Sequence, residues 1–137
     1  MTEEKSPQEK ALEFAEEYEK AKGRKPTCVP LGGGHDIESS GRKIEVKGRS
    51  GDWRNIVLEA QSYKKMKKTS RYYLYVVTNL SSEDREDWRL YILNKSAVEK
   101  HGVPWTDPRL AVNPSKDERE KYRVLYPLSM WFTQGDE

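Results

Sequence analysis

The chain has 137 residues, of which 35% are charged and 34% hydrophobic, and its formal net charge is +2. This length supports one hydrophobic core but not two, so we expect a single domain over residues 1–137. Its core should span about residues 7–93, followed by a C-terminal extension over about 94–137. The nearly balanced charge excludes a protein that coats nucleic acid indiscriminately, because such binding needs a large positive excess.

The numbers of cysteines and histidines limit which cellular compartment and which metal sites we expect. Cys28 is the only cysteine, so an internal disulfide is impossible and a reducing cytoplasm is the simplest compartment. We see no signal peptide and no apolar run as long as a membrane span, and therefore expect no membrane association. One cysteine and two histidines also do not make a structural zinc set.

Residues 7–22 predict an amphipathic helix that ends at Gly23. Ser6 is placed to cap it, Pro7 suits its first turn, and Glu9 stands where a capping box needs it. Its apolar stripe consists of Ala11, Phe14, Ala15, Tyr18 and Ala21. We therefore expect this helix to pack on the core through one face.

A glycine run separates this helix region from the most informative part of the chain. Residues 27–31 predict a first short strand that ends at glycines 32–34. A backbone without side chains lets a phosphate group approach closely. The run is not a nucleotide-binding P-loop, because no Gly-Lys-Ser/Thr follows it. His35 comes next, and we expect a structural histidine there rather than a ligand or a base.

Residues 36–48 predict a β-hairpin that turns at Ser40-Gly41. The turn pairs Ser39 with Arg42, Glu38 with Lys43, Ile37 with Ile44, and Asp36 with Glu45. Directly opposite residues share a face, so Asp36 and Glu45 converge, and Lys47 lies one step along the strand. A slip of one residue would place Asp36 beside an apolar side chain, so the hydrophobic pattern itself selects this register.

Two converging carboxylates repel each other unless another charge compensates. Mg²⁺ can do so, because it takes oxygen ligands and is typically held by one or two carboxylates with substrate phosphate. We expect Asp36, Glu45 and the backbone carbonyl of Val46 as ligands. Lys47 would orient the attacking water or offset charge on the phosphoryl oxygens. On spacing alone, a surface hairpin held by cross-strand ion pairs explains these residues equally well.

Beyond the hairpin, residues 55–58 predict a third hairpin strand and residues 59–68 a helix. Gln61 and Lys65 lie four residues apart on that helix, so they can share one face. Contact with nucleic acid would rest on local basic clusters, whose candidate residues are Arg42, Arg49, Arg54, Lys64 and Lys68. A solvated charged face is the commoner outcome for such a lysine run.

Residues 71–79 give the strongest strand signal, an apolar run typical of a central strand buried on both faces. The remaining predicted elements are a strand at 88–93, a helix at 95–101, a loop at 104–116 and an edge strand at 122–128. For two aromatic positions the sequence leaves two alternative roles. Trp53 either touches a base or sugar or packs in the core, and Trp131-Phe132 either packs or forms a dimer contact.

Three segments together resemble the No Vein C-terminal-type domain, a branch related to the Mrr-like proteins of the PD-(D/E)XK, or restriction-endonuclease-like, nuclease superfamily. These segments are Gly34-His35-Asp36-Ile37, Ile44-Glu45-Val46-Lys47-Gly48-Arg49 and Tyr73-Leu74-Tyr75-Val76-Val77-Thr78-Asn79. The resemblance covers about residues 11–93. It implies an α/β fold with a mixed central sheet, an antiparallel hairpin that carries the site, and flanking helices.

The same resemblance implies a Mg²⁺- or Mn²⁺-dependent endonuclease that hydrolyses phosphodiester bonds, with DNA as the expected substrate. Superfamily members often place a further glutamate on the first helix, and the candidates are Glu13 and Glu17. In several branches a Gln or Lys of the second helix flanks the site, which here implies Gln61 or Lys65. No reader domain is visible, so specificity would come from a homodimer, a partner protein or substrate shape. The alternatives are a non-catalytic nucleic-acid-binding module and a protein-interaction module.

Overall fold

The computed structural model describes residues 5–29, 34–106 and 109–124. In these ranges the helices are α1 (Pro7–Ala21), α2 (Ala60–Lys68), α3 (Lys95–His101) and α4 (Lys116–Glu120), with a 3-10 turn at Arg85–Asp87. The strands are β1 (Pro26–Cys28), β2 (Ile37–Ser39), β3 (Arg42–Gly48), β4 (Val57–Leu58), β5 (Tyr72–Thr78), β6 (Arg89–Asn94), β7 (Gly102–Pro104) and β8 (Leu110–Val112). None of these helices is both long enough and apolar enough to cross a bilayer.

The larger sheet has five strands in the order β1-β2-β3-β5-β6. Its β3 and β5 strands run parallel, whereas the other neighbours are antiparallel, so the predicted mixed α/β fold is confirmed. The chain between β3 and β5 includes β4 and α2, and this long connection allows β3 and β5 to pair in parallel. The predicted strand at 71–79 is an inner strand, as its apolar sequence indicated.

A second, three-stranded sheet has the antiparallel order β4-β8-β7. The prediction that residues 55–58 form a third hairpin strand was therefore wrong. The side of β3 that such a strand would need is occupied by β5, from the pair Lys43↔Tyr72 to the pair Gly48↔Val77. The predicted loop at 104–116 was also wrong, because it contains all of β8 and the end of β7.

Helix α1 packs on one face of the larger sheet, and its predicted position and cap are confirmed. The Ser6 side chain accepts a hydrogen bond from the backbone of Glu9, and the capping box is complete. The buried residues of this layer are Ala11, Phe14, Ala15 and Tyr18 from α1, Ile37, Ile44, Val46, Tyr75, Val77 and Leu90 from the sheet, and Leu80 from the turn after β5. The helix crosses β3 so closely that a Cβ on Gly48 would lie 2.5 Å from the carbonyl oxygen of Pro7.

The opposite face of the larger sheet packs against α2 and the smaller sheet. Trp53 lies in this second core with 3% of its surface exposed, and its Nε1 donates to the carbonyl oxygen of Val112 at 3.1 Å. Of the two interpretations of Trp53, the structure therefore supports packing. β4 comes from the predicted core region and β8 from the predicted extension, so one sheet joins both parts of the chain.

The end of the described chain lies along β6. The backbone N–H groups of Ile92 and Val124 donate to the carbonyls of Tyr122 and Leu90, and Tyr91 forms an isolated bridge with Arg123. The predicted edge strand at 122–128 is seen only as this bridge within the described residues. The rest of that prediction, Trp131-Phe132, and the glycines at positions 32 and 33 lie outside them.

Candidate functional site

Three of the four predicted hairpin pairs form, and the fourth, Asp36 with Glu45, is not a strand pair because β2 begins at Ile37. The turn residues of the hairpin both adopt positive φ, 48° at Ser40 and 86° at Gly41, which matches the twist of a two-residue hairpin turn. The observed partners are Ile37↔Ile44, Glu38↔Lys43 and Ser39↔Arg42. The backbone N–H of Asp36 donates to the carbonyl of Ile44 at 2.8 Å, just beyond the last pair. This register sets Asp36 beside the Glu45 region of β3.

The Asp36 side chain supplies a hydrogen-bond acceptor for β3 where β2 supplies no backbone carbonyl. Its Oδ2 accepts a hydrogen bond of 2.7 Å from the backbone N–H of Val46, one residue beyond Glu45. Because β2 begins at Ile37, this N–H would otherwise have no partner from β2. The hydrogen bond fixes the carboxylate against β3 and holds it next to Glu45.

Glu45 is a buried carboxylate with 6% of its surface exposed. Burial, followed by the neighbouring charge of Asp36, raises the pKa of Glu45 to about 7. Lys47, whose Nζ lies 3.1 Å from Oε2 of Glu45, and Ser62 act in the opposite direction and favour the ionised form. Lys47 balances only one of the two negative charges of Asp36 and Glu45. Near neutral pH the pair therefore favours binding either a proton or a cation.

Both carboxylates line a cleft of about 290 Å³. Its lining residues are Val29, Gly34, His35, Asp36, Glu45, Glu59, Ala60, Gln61 and Ser62. One wall is therefore the N-terminal turn of α2, whose cap residue Glu59 makes no side-chain cap hydrogen bond. The first backbone N–H groups of a helix have no partner inside the helix, and its N-terminal end carries partial positive charge. The cleft thus joins a pair of carboxylates to a helix end that favours anions.

A glycine determines how closely the loop before Asp36 approaches α2. Gly34 has φ +82°, and a Cβ there would lie 2.8 Å from Cβ of Lys65 and 2.9 Å from the carbonyl oxygen of Gln61. The hydroxyl of Tyr72 donates to the Gly34 carbonyl at 3.3 Å. Burial, then the charges of Glu45 and Asp36, raises the pKa of Tyr72 and keeps the phenol neutral. These contacts hold the two walls of the cleft together.

The predicted accessory residues divide into two groups. Gln61 lines the cleft, and Lys65 packs beside Gly34. Glu13 and Glu17 instead lie at a separate depression on α1, where they form ion pairs with Lys5 and Arg85, respectively. The reason is strand alternation, because the neighbours of Glu45 in β3 pack toward α1 and Glu45 itself therefore faces away from that helix. The structure does not bring the two glutamates to the carboxylate pair.

The predicted nucleic-acid contacts also divide. Arg42 is largely buried on the α1 side, 3.4 Å from Oε1 of Glu19 and 3.7 Å from the ring centroid of Tyr73, so its position does not support such a contact. Arg49 braces the following loop by donating to the carbonyls of Arg54 and Asn55. The exposed members of the predicted set are Arg54, Lys64 and Lys68.

Sequence reasoning missed Gln8, the α1 residue that does reach the strand of the site. Its Nε2 donates to the carbonyl oxygen of Val46 at 2.7 Å, and its Oε1 accepts from the backbone N–H of Gly48 at 2.9 Å. Gln8 thus pairs with β3 where β2 no longer does. The carbonyl predicted as a metal ligand has one lone pair engaged and one remaining. A polar residue in a first helical turn carries no signal for a contact 38 positions away.

The donor set fits a loosely held, hard cation. Among the residues that the structure describes, no group of three or more His, Cys, Asp or Glu side chains is arranged to hold a metal ion. Mg²⁺ and Mn²⁺ do not need one, because one or two carboxylates suffice when water and a substrate phosphate complete the shell. The paired carboxylates of Asp36 and Glu45, with their unbalanced charge, meet that requirement.

Comparison with curated proteins and with solved structures gave no match. The family model described as the C-terminal part of the protein NO VEIN matches residues 8–94, more than half of the chain. The matched segment runs from the first turn of α1 to the end of β6 and so includes the hairpin, the cleft and its α2 wall. The chain therefore belongs to the NO VEIN C-terminal family.

Proposed function

We propose that this protein is a Mg²⁺- or Mn²⁺-dependent nuclease on a restriction-endonuclease-like core, and that it hydrolyses phosphodiester bonds of DNA. The observation that carries the proposal is the placement of Asp36 and Glu45 in one cleft, with Lys47 at 3.1 Å from Glu45. A carboxylate pair can hold the metal ion of a metal-assisted phosphodiester hydrolysis, and an adjacent lysine can stabilise the negative charge that develops. The α2 end of the cleft adds a position for the phosphate.

Each residue has a distinct role in this proposal. Asp36 and Glu45 would hold the ion, with the Val46 carbonyl as a third oxygen, and the bound ion would supply a polarised phosphoryl oxygen and a more acidic water. Lys47 places positive charge beside Glu45, where it would orient the water or stabilise charge that develops on the phosphoryl oxygens. Gln8 positions β3 through two backbone hydrogen bonds.

We also propose a reducing compartment such as the cytoplasm, because the one cysteine of this sequence has no disulfide partner within it. Cys28 lies on β1 beside the hairpin and donates to Oε1 of Glu16 at 2.9 Å. This interaction, followed by burial, raises the pKa of the Cys28 thiol to about 11 and keeps it protonated. A protonated thiol in reducing surroundings stays out of disulfide chemistry next to the hairpin.

A second candidate is a non-catalytic nucleic-acid-binding module on the same fold. The observation that favours it is the Glu45–Lys47 ion pair, because an internal lysine already neutralises one of the two carboxylates. The raised pKa of Glu45 allows a proton to neutralise the site further without any metal. In such a module the cleft would bind phosphate through the α2 end alone.

A cleavage assay with matched variants separates the two candidates. We expect the wild type to cut DNA only with Mg²⁺ or Mn²⁺, and Asp36→Asn and Lys47→Ala to lose cleavage while remaining folded by circular dichroism. Glu38→Gln is the matched control, because Glu38 is an exposed carboxylate two residues from Asp36 that does not line the cleft and contacts Lys43 and His35 instead. Cleavage by both site variants would overturn the mechanism. Binding without cutting under either metal would favour the non-catalytic module.

A further inference from the structure

The smaller sheet has one buried face and one exposed face. Leu58, Leu110 and Val112 point into the core, so the alternate residues point outward. The outward row across the three strands is Val57, Ala111 and Val103, which are register partners. Val103 is 61% exposed and Trp105, two residues on and on the same face, is 60% exposed. These are the large hydrophobic side chains that stand out into solvent within the described residues.

The next outward-facing row of this sheet consists of Trp105, Arg109 and Glu59, and it ends at the cleft. Continuing the register places Glu59 opposite Arg109 and Arg109 opposite Trp105. Two contacts agree with this placement: Trp105 donates its backbone N–H to the Arg109 carbonyl at 3.1 Å, and Nη1 of Arg109 lies 3.9 Å from Oε2 of Glu59. Glu59 lines the cleft that holds Asp36 and Glu45. Two strand spacings put the Trp105 backbone about 10 Å from that of Glu59.

The size and charge of this surface point to one kind of occupant. The exposed apolar part of this face is small, because one exposed indole stands beside one exposed valine. A single aromatic ring is enough to stack on a nucleobase, and a neighbouring arginine adds attraction for the backbone. Arg109 stands between the ring and the cleft and also offsets the charge of Glu59. Bases of a duplex are already stacked inside it, so the accessible base must be unpaired.

We propose that Trp105 stacks on an unpaired base of a single-stranded nucleic acid whose backbone passes Arg109 into the cleft. This inference rests on the proposed function and specifies its substrate as single-stranded, or as the single-stranded part of a longer molecule. Stacking of this kind tolerates any base, because every base has an aromatic face. The Trp105 surface therefore selects strand state rather than sequence.

Binding is measured on the full chain carrying Asp36→Asn, so that no substrate is cut. Fluorescence anisotropy compares a labelled oligothymidylate, the RNA equivalent and a blunt duplex of equal length at one fixed salt concentration. We expect a preference for the single strands, and a loss of roughly 5- to 150-fold in their affinity when Trp105→Ala is added. Trp105→Phe should retain most of the affinity. Val103→Ala is the matched control, because it trims an equally exposed side chain that has no ring.

The outcomes separate this inference from the proposed function. Unchanged single-strand affinity in Trp105→Ala, or a preference for the duplex, overturns the stacking role even if the wild type cuts DNA with metal. If binding depends on the Trp105 ring but the protein with native Asp36 does not cut DNA with metal, the nuclease proposal is wrong and the stacking proposal stands. Absence of binding to all three probes overturns the stacking role, and the nuclease is then judged separately by metal-dependent cleavage with native Asp36. The DNA and RNA arms identify which single strand is bound.

Discussion

Two buried glutamates on opposite sides of the larger sheet have opposite environments. Glu19, on α1, is fully buried, yet it accepts from Arg24 at 2.5 and 2.8 Å and from the Tyr75 hydroxyl at 2.5 Å, with Arg42 at 3.4 Å. Burial alone raises its pKa, but Arg24, Tyr75 and Arg42 outweigh burial and hold the pKa of Glu19 below its usual range. This carboxylate is fully compensated by its own chain.

Glu45 is also buried, but its nearest charges are another carboxylate and a single lysine. Burial and Asp36 therefore prevail, and the pKa of Glu45 rises to about 7. A buried charge that is fully paired serves the fold, whereas a buried pair of like charges persists only when something else is gained. The contacts of Glu19 mark its cluster as structural, and the uncompensated charge at Glu45 supports the proposal that a cation completes the charge balance there.

The largest expected effect comes from neutralising the compensated glutamate. Glu19→Gln should lower the free energy of unfolding by about 3 kcal/mol, because it leaves two arginines without their shared carboxylate. Glu45→Gln is the matched substitution on the other face, and we expect it to lower the metal-free stability far less at pH 8. Urea unfolding followed by circular dichroism measures both. Equal losses in the two variants would remove the distinction between the clusters.

The second expected effect is that the free energy of unfolding depends on pH through the titration of Glu45. Its pKa is raised in the folded state from the ordinary value of 4.5 to about 7, so the folded protein binds the extra proton in this window. The stabilisation is complete below about pH 4.5 and is lost as the pH rises through about 7. The wild-type free energy of unfolding should therefore fall relative to Glu45→Gln between pH 5 and 8 in EDTA. Parallel profiles of the two proteins would show that Glu45 is not the titrating group.

The smallest effect concerns Gln8, which touches only backbone. Gln8→Ala removes two hydrogen bonds to β3 and should cost about 1–3 kcal/mol of stability. Since these bonds hold β3 at Val46 and Gly48, on either side of Lys47, the variant should also cut DNA more slowly at saturating metal. Glu13→Ala, on the same helix but away from the cleft, is the control and should leave the cleavage rate unchanged. A slowed Glu13→Ala together with an unaffected Gln8→Ala would contradict the assigned positions.

The parts that sequence reasoning predicted correctly depend on local rules. The hairpin register follows from a two-residue turn and strand alternation, and the start of α1 follows from Ser6 and Glu9. Convergence of Asp36 and Glu45 is a consequence of that register, so both residues were predictable as lining one cleft.

The parts that sequence reasoning missed depend on contacts between distant positions. β4 has only two residues, and its partner β8 lies more than 50 residues later in the sequence. No local sequence pattern can therefore indicate this pairing. Arg42 was grouped with the basic residues, yet strand alternation places it on the α1 face with Ile44, where it lies 3.4 Å from Glu19. Likewise, only the packing of α1 on Gly48 brings Gln8 to Val46.

The most direct test of the charge balance is a calorimetric titration of Mg²⁺ and Mn²⁺ into the wild type, Asp36→Asn and the Glu38→Gln control, at pH 6 and pH 8. If Asp36 and Glu45 form the metal site, the wild type and the control bind, and Asp36→Asn does not. Binding should be tighter at pH 8, because the ion no longer competes with the proton on Glu45. Equal binding by Asp36→Asn, or no binding by the wild type even with DNA present, would contradict the metal-centred account.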